Sequence, residues 1–360
     1  MPTTRRNVIG ELPAYELAVQ SVPAGKRLIQ LGQNELGIEP SPVAVDAIRR
    51  SASHLTRYPD PDHVALRTAI AAQHGLRPDL IACGAGSMEL MGLLTTAYGE
   101  PGAEVIVSEY SYKFFRVQCA IAGASVRVVA EPDLRADINA LAAAVTEHTR
   151  LVFLVDPNNP TGWRLEHGAV PKLRDTLPED VLLIVDGAYA DFITDPGHET
   201  GFDLVDRGNN VAVLRTFSKA YGLAGARVGW MYAPADVVDT VNRIRPPNSI
   251  TSQSMAAAQA AVADTEHLDA VVTEVNRTRE AFCARARTLG LSVSPSAGNF
   301  VLVHFDRNVQ QSASRVYAGL LEQGIVVRPM NAYNLPDSVR ITIGSAEEMD
   351  TLADELGHLF

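Results

Sequence analysis

Arg150-Leu-Val-Phe-Leu-Val155 runs straight into Asp156-Pro-Asn-Asn-Pro-Thr-Gly162. An apolar run without polar alternation reads as a strand covered on both faces, the condition of a parallel sheet inside an α/β layer. The Pro- and Gly-punctuated polar stretch behind it is a turn at the strand's carboxyl end. The same grammar recurs downstream. Val181-Leu-Leu-Ile-Val185 leads into Asp186-Gly-Ala-Tyr189, and Val211-Ala-Val-Leu214 into Arg215-Thr-Phe-Ser-Lys-Ala-Tyr-Gly-Leu-Ala-Gly-Ala-Arg227. Upstream, Glu104–Ser108 and Ser125–Val129 read as further buried strands. Amphipathic stretches at Phe114–Ala122, Ala136–Thr146 and Gly168–Thr176 supply the crossover helices. The alternation predicts an α/β layer with one mostly parallel sheet.

Beyond about residue 250 the texture changes. An Ala-rich segment, Ser252 to Arg287, has helical spacing and no strand-like run. Strands return at Asn299–His304, Ile325–Val327 and Val339–Ile343, separated by helices at Ala313–Gln323 and Glu347–Leu359. This is an α+β pattern. The expected division is an N-terminal segment (1–40) packing on the small domain or a partner subunit, a large α/β domain (41–250) and a small α+β domain (251–360). Two domains suit 360 residues, more than one compact core usually holds.

A net charge of −11 argues against a nucleic-acid partner, whose backbone is gripped by an excess of Lys and Arg. A basic pocket for a small anion is compatible with that charge. No run of about 18 apolar residues appears, so no membrane span is expected. Met1-Pro-Thr-Thr-Arg-Arg6 has no apolar stretch behind it, so a secretory leader is not expected either. Cys83, Cys119 and Cys283 are odd in number and lack CxxC spacing, as suits reduced thiols in a cytoplasm. The histidines show neither HExxH nor paired ligand spacing, so no metal is expected.

Ligands of open parallel sheets sit outside the carboxyl ends of the strands. Three successive ends deliver an amide, a carboxylate with a phenol, and a lysine flanked by hydroxyls. Singly, each is ordinary: Asn-Pro-Thr-Gly is a turn, an Asp after a strand a helix cap, Ser-Lys a solvated surface pair. In this order one ligand class uses them all, a phosphorylated pyridine aldehyde, pyridoxal 5'-phosphate. Lys219 would bond the aldehyde and shuttle a proton. Asp186 would keep the ring nitrogen protonated. Asn159 and Tyr189 would donate to the ring's phenolate oxygen. Thr216, Ser218 and Arg227 would bind the phosphate, Arg227 as a charged fork. Gly86 and Ser87, in Cys83-Gly-Ala-Gly-Ser-Met-Glu89, would add backbone N–H groups at a helix start. That loop fails GxGxxG, which excludes dinucleotide binding there.

With these motifs the chain resembles the aspartate-aminotransferase superfamily of fold type I, and within it the histidinol-phosphate aminotransferase branch. The similarity runs from Leu12-Pro-Ala-Tyr15 to Val339-Arg-Ile-Thr-Ile-Gly344. It includes Arg57-Tyr-Pro-Asp-Pro-Asp62, Gly84-Ala-Gly-Ser-Met-Glu-Leu90 and Gly324-Ile-Val-Val-Arg-Pro-Met330. The resemblance implies that Tyr112 stacks on the cofactor ring and that Tyr58 reaches the phosphate of a neighbouring subunit, hence a homodimer with shared sites. It implies Arg340 as the reader of the substrate's anion, with Arg328, Tyr15 and Asn34 nearby. A guanidinium suits a carboxylate or a phosphate equally.

The chain departs from the family pattern in several places. Asn34-Glu-Leu-Gly37 replaces Asn-Glu-Asn-Pro, and Asp186-Gly-Ala-Tyr189 replaces Asp-Glu-Ala-Tyr. Tyr110 stands for a Pro, and Arg245-Pro-Pro-Asn-Ser249 lacks an aromatic. These positions bear on the substrate rather than the cofactor. The implied reaction is a ping-pong transfer from histidinol phosphate, or a related amine, to 2-oxoglutarate. An aromatic amino acid aminotransferase and a decarboxylase of a phosphorylated amino acid are the alternatives. The fold also serves as the effector module of some transcription regulators, but those carry a basic DNA-binding segment in front.

Overall fold

The computed structural model describes residues 7–12, 21–305 and 312–359. The strands in chain order are β1 (Ile29–Gln30), β2 (Ile81–Gly84), β3 (Glu104–Ser108), β4 (Ser125–Val129), β5 (Thr149–Val155), β6 (Leu182–Asp186), β7 (Val211–Thr216) and β8 (Gly229–Tyr232). There follow β9 (Ser292–Val293), β10 (Phe300–His304), β11 (Ile325–Val326), β12 (Arg328–Met330) and β13 (Leu335–Thr342).

Among the described residues the large sheet has seven strands in the order β2-β8-β7-β6-β5-β3-β4. Every pairing from β7 to β4 is parallel; β8 runs antiparallel to both β7 and β2. The apolar runs are buried on both faces. On β6, Leu183 and Val185 join one core and Leu182 and Ile184 the other; on β7, Val211 and Val213 oppose Ala212 and Leu214. This two-sided burial is why those strands lack alternation. β4 departs from the expectation of a buried strand: it is an edge, and Val128 is 45% exposed. β2 and β8 had no clear signature, since each is a four-residue strand containing glycine, a weak strand former. Gly229 is required there, because a Cβ on it would sit 2.2 Å from the Ser87 nitrogen.

The Ala-rich segment after residue 250 is two helices, Ser252–Ala263 and Thr265–Thr288, with the Asp264 carboxylate capping the second through the His267 N–H. Met255, Ala257, Ala258, Ala261 and Val262 of the first helix lie in the large sheet's core. The change of texture thus marks a change of element type before it marks a change of core. The second helix packs in another core with β10, β13 and the helices Ala313–Glu322 and Ala346–Leu359. That core covers a four-stranded antiparallel sheet, β12-β13-β10-β9. Ile29 and Leu31 belong to it as well, because β1 pairs in parallel with β11.

Cys83 and Cys119 are buried, and burial pushes both thiols up to about 12, so they act as small apolar side chains. Among the described residues no helix is long and apolar enough to cross a membrane, and no His/Cys/Asp/Glu group could hold a metal ion.

Candidate active site

The carboxyl ends of β5, β6 and β7 lie side by side and are knitted by backbone bonds. The Asp156 N–H donates to the Asp186 carbonyl at 3.0 Å and the Gly187 N–H to the Leu214 carbonyl at 2.9 Å. This brings Asn159, Asp186, Tyr189, Thr216, Ser218 and Lys219 to one edge of the sheet, in line with the rule for parallel sheets.

Residues 32–36 arrive from the other side. Asn34, with φ of 55° and 1% exposed, is held by its N–H on Thr342 Oγ1 at 2.9 Å. Its carbonyl accepts from Lys219 Nζ at 3.0 Å and from Asn299 Nδ2 at 3.2 Å. Its side-chain amide donates to the Tyr189 hydroxyl at 2.9 Å, and Asn159 Nδ2 donates to the same oxygen at 3.3 Å. With two amides donating to it, the Tyr189 hydroxyl keeps its own proton for a further acceptor.

Arg340 comes from β13. Its Nη1 donates to Asn159 Oδ1 at 2.6 Å and its Nη2 to the Gly32 carbonyl at 2.9 Å, while Nε has no partner among the described residues. Asn159 thus ties Tyr189 to Arg340. Arg328 stands directly opposite Arg340 across the β12–β13 ladder. Lys219 feels this environment: burial first, then the Arg340 and Arg227 charges, push its amine down to about 7. Near neutral pH a large share is therefore the uncharged nucleophile. Burial pushes the Asp186 carboxyl up to about 6, opposed by the Ala188 N–H, Arg215 and Lys219.

A second cradle lies beside the first. The Ser218 N–H donates to Thr216 Oγ1 at 3.1 Å, and Arg227 Nη1 donates to Ser218 Oγ at 3.3 Å. Gly86 caps the helix Ser87–Tyr98 at φ +87°, and a Cβ there would meet Arg227 Nη2 at 2.6 Å. The Ser249 hydroxyl and the Ala85 N–H converge on Glu89 Oε2, tying the 245–249 loop to this turn. A helix start, two hydroxyls and a guanidinium make an anion cradle. It lies one residue in sequence from the Lys219 amine, and the set fits a phosphate-bearing aldehyde.

Tyr112, whose hydroxyl lies 3.6 Å from Met88 Sδ and whose ring meets Phe115 edge-on, approaches this helix start. Tyr58, 88% exposed, is not drawn into this chain's set. Tyr15 lies outside the described residues.

Sequence reasoning passed over several participants. Asn158 donates to Thr161 Oγ1 at 3.1 Å and to Glu131 Oε2 at 3.4 Å, bracing the turn that presents Asn159. Burial pushes the Glu131 carboxyl up to about 7. Asn158 and Thr342 stood inside quoted motifs. Glu131 and Asn299 carry no local signal, because their partners come from other strands.

The family model of the class I and II aminotransferases matches residues 26–356. A histidinol-phosphate aminotransferase of Rhodospirillum rubrum is 40% identical over 99% of this chain and 96% of its own length. One from Rhodopseudomonas palustris is 41% identical over 90% of this chain and 88% of its own. The crystal structure of histidinol-phosphate aminotransferase from Sinorhizobium meliloti in complex with pyridoxal 5'-phosphate superposes with a TM-score of 0.86 at 33% identity, covering 92% of this chain and 90% of that one. The chain therefore belongs to the class I and II aminotransferases of fold type I, and is a pyridoxal-phosphate-dependent enzyme.

Proposed function

We propose that the enzyme transfers the amino group of histidinol phosphate to 2-oxoglutarate in two half-reactions, as a cytoplasmic homodimer. The observation that carries the donor is the pairing of Arg328 with Arg340. Two guanidinium side chains directly opposite on adjacent strands repel one another. A bound anion offsets that cost, and a phosphate dianion offsets it better than a carboxylate. The names of the relatives at about 40% identity favour the same donor.

Pyridoxal phosphate supplies an aldehyde for the amine and a ring that accepts the electron pair released at the donor carbon. The chain's own groups do the rest. Thr216, Ser218, Arg227 and the helix start at Gly86 and Ser87 bind the phosphate. Asp186 holds a proton on the ring nitrogen, and Tyr189 and Asn159 donate to the ring oxygen. Tyr112 covers the ring. Lys219 would hold the cofactor through its Nζ and would move a proton at the donor carbon. Arg340 and Arg328 orient the donor's anion, with Asn34 and Tyr15 toward its imidazole. Tyr58, exposed in one chain, completes the phosphate site of the partner.

The test mixes purified holoenzyme with histidinol phosphate and, separately, with phenylalanine, following loss of the lysine-bound cofactor's absorbance. Conversion by histidinol phosphate, restored by 2-oxoglutarate, is the expected result. Conversion by phenylalanine alone makes Arg340 a carboxylate reader and the donor an aromatic amino acid. Release of carbon dioxide without a stable amine form of the cofactor overturns the reaction type. Sedimentation at micromolar concentration tests the dimer.

A further inference from the structure

Behind Asp186, on the face of the sheet away from the phosphate cradle, lies a cluster of charged groups with no part in the steps above. Arg215, on β7, is 5% exposed. Its Nη1 reaches Asp191 Oδ1 at 3.3 Å and the Gly187 carbonyl at 3.5 Å, and its Nε has no partner among the described residues. Its guanidinium stands 5.3 Å from the Phe202 ring centroid. A single long contact to Asp191 is not the fork that neutralises a guanidinium well.

Gly187 explains how the charge comes so close. A Cβ at that position would lie 3.2 Å from Arg215 Cδ and Nε and 3.3 Å from the Leu214 carbonyl. The glycine that replaces the family's glutamate thus leaves the space the arginine occupies, one peptide unit from Asp186.

We propose that Arg215 is a positioning residue for the cofactor: packed behind the Asp186–Gly187 step, it supplies the buried positive charge that keeps the Asp186 carboxylate ionised against the ring nitrogen. The other groups facing it leave that role vacant. Burial pushes His74 and His198 down to about 4, so both are neutral, and the Tyr221 phenol is pushed up and stays neutral. Asp156, Asp186 and Asp191 are each raised by burial and each drawn down by Arg215. Lys219, the other basic group acting on Asp186, is pushed down to about 7, so its charge near neutral pH is partial. Arg215 is then the permanent cation beside Asp186; Arg164, half-exposed and paired with Asp195, acts on Asp156 and His198.

This inference rests on the role proposed for Asp186, and one experiment separates the two. The affinity of cofactor-free enzyme is measured for pyridoxal phosphate and for an analogue with C–H in place of the ring nitrogen. The expected wild-type enzyme prefers the nitrogen-bearing ring. In the Arg215→Met/Asp191→Asn pair, which removes both charges, that preference falls by roughly tenfold, the equivalent of one pKa unit at Asp186. Affinity for the analogue stays within about threefold, a change under one kcal/mol. Arg215→Lys retains the preference. Asp191→Asn alone keeps or increases it, because the arginine's charge is then less compensated.

An equal loss for both ligands makes Arg215 a structural residue and overturns the proposal, as does a lowered preference in Asp191→Asn. Should the double variant not fold, Arg215→Met alone decides by the same comparison of the two ligands. A wild-type enzyme without preference refutes the role of Asp186 itself.

Discussion

Replacing Arg340 by Gln tests the anion site most directly. The guanidinium has five N–H donors, and the chain itself uses two, on Asn159 Oδ1 at 2.6 Å and the Gly32 carbonyl at 2.9 Å. The buried Nε–H has no partner among the described residues, which leaves a fork available for a ligand anion. Charge-assisted hydrogen bonds contribute about 1.5–3 kcal/mol each, so a two-bond contact contributes about 3–6 kcal/mol. That predicts a fall of roughly 10²- to 10⁴-fold in kcat/KM for histidinol phosphate.

Loss of the bonds to Asn159 and Gly32 also disturbs the site in general, so the decisive quantity is a ratio. Histidinol, the same amine without its phosphate, is measured beside the phosphorylated donor. Stopped-flow half-reactions should show the phosphate preference collapsing in Arg340→Gln while the rate with histidinol changes far less. Arg340→Lys should recover part of the preference, because it restores charge without the planar fork. A phosphate preference that drops less than about tenfold in Arg340→Gln, under 1.4 kcal/mol, refutes the assignment of Arg340 to the phosphate.

Three other outcomes follow from the same geometry. The Lys219 amine is pushed down to about 7, so capture of pyridoxal phosphate by cofactor-free enzyme should accelerate as pH rises through 7 and level off well below 10; Lys219→Ala should show no lysine-bound absorbance at any pH. Glu131 is raised from 4.5 to about 7, so the folded chain holds a proton there that the unfolded chain has released. Stability from this group falls as pH rises across that window, on the order of 3 kcal/mol, so Glu131→Gln should raise Tm at pH 8 and change it little at pH 4. Gly86→Ala places a Cβ 2.6 Å from Arg227 Nη2 in a left-handed backbone, and equilibrium titration should show pyridoxal phosphate bound at least tenfold more weakly, about 1.4 kcal/mol, in a chain that still folds.

The sequence alone determined the parallel strands and the chemistry at their ends. A strand buried on both faces writes itself as an unbroken apolar run, and the turn after it is contiguous in the chain. Asn159, Asp186, Tyr189 and Lys219 were therefore legible beside the strands that carry them. The short β2 and β8 escaped notice because two strands of four residues ending in or opening on glycine have no period to read.

Only the tertiary structure decided how Asn34 and Asn159 share the Tyr189 hydroxyl, and how Arg340 reaches Asn159 across 181 positions of chain. It alone showed that Arg215 packs against Gly187 from the neighbouring strand, where a Cβ would lie 3.2 Å from its Cδ and Nε. Hydrogen bonds and buried charges act across space, between segments whose closeness depends on how whole domains pack. A one-dimensional pattern carries the periodicity of each element, but not the distance from one element's charge to another's.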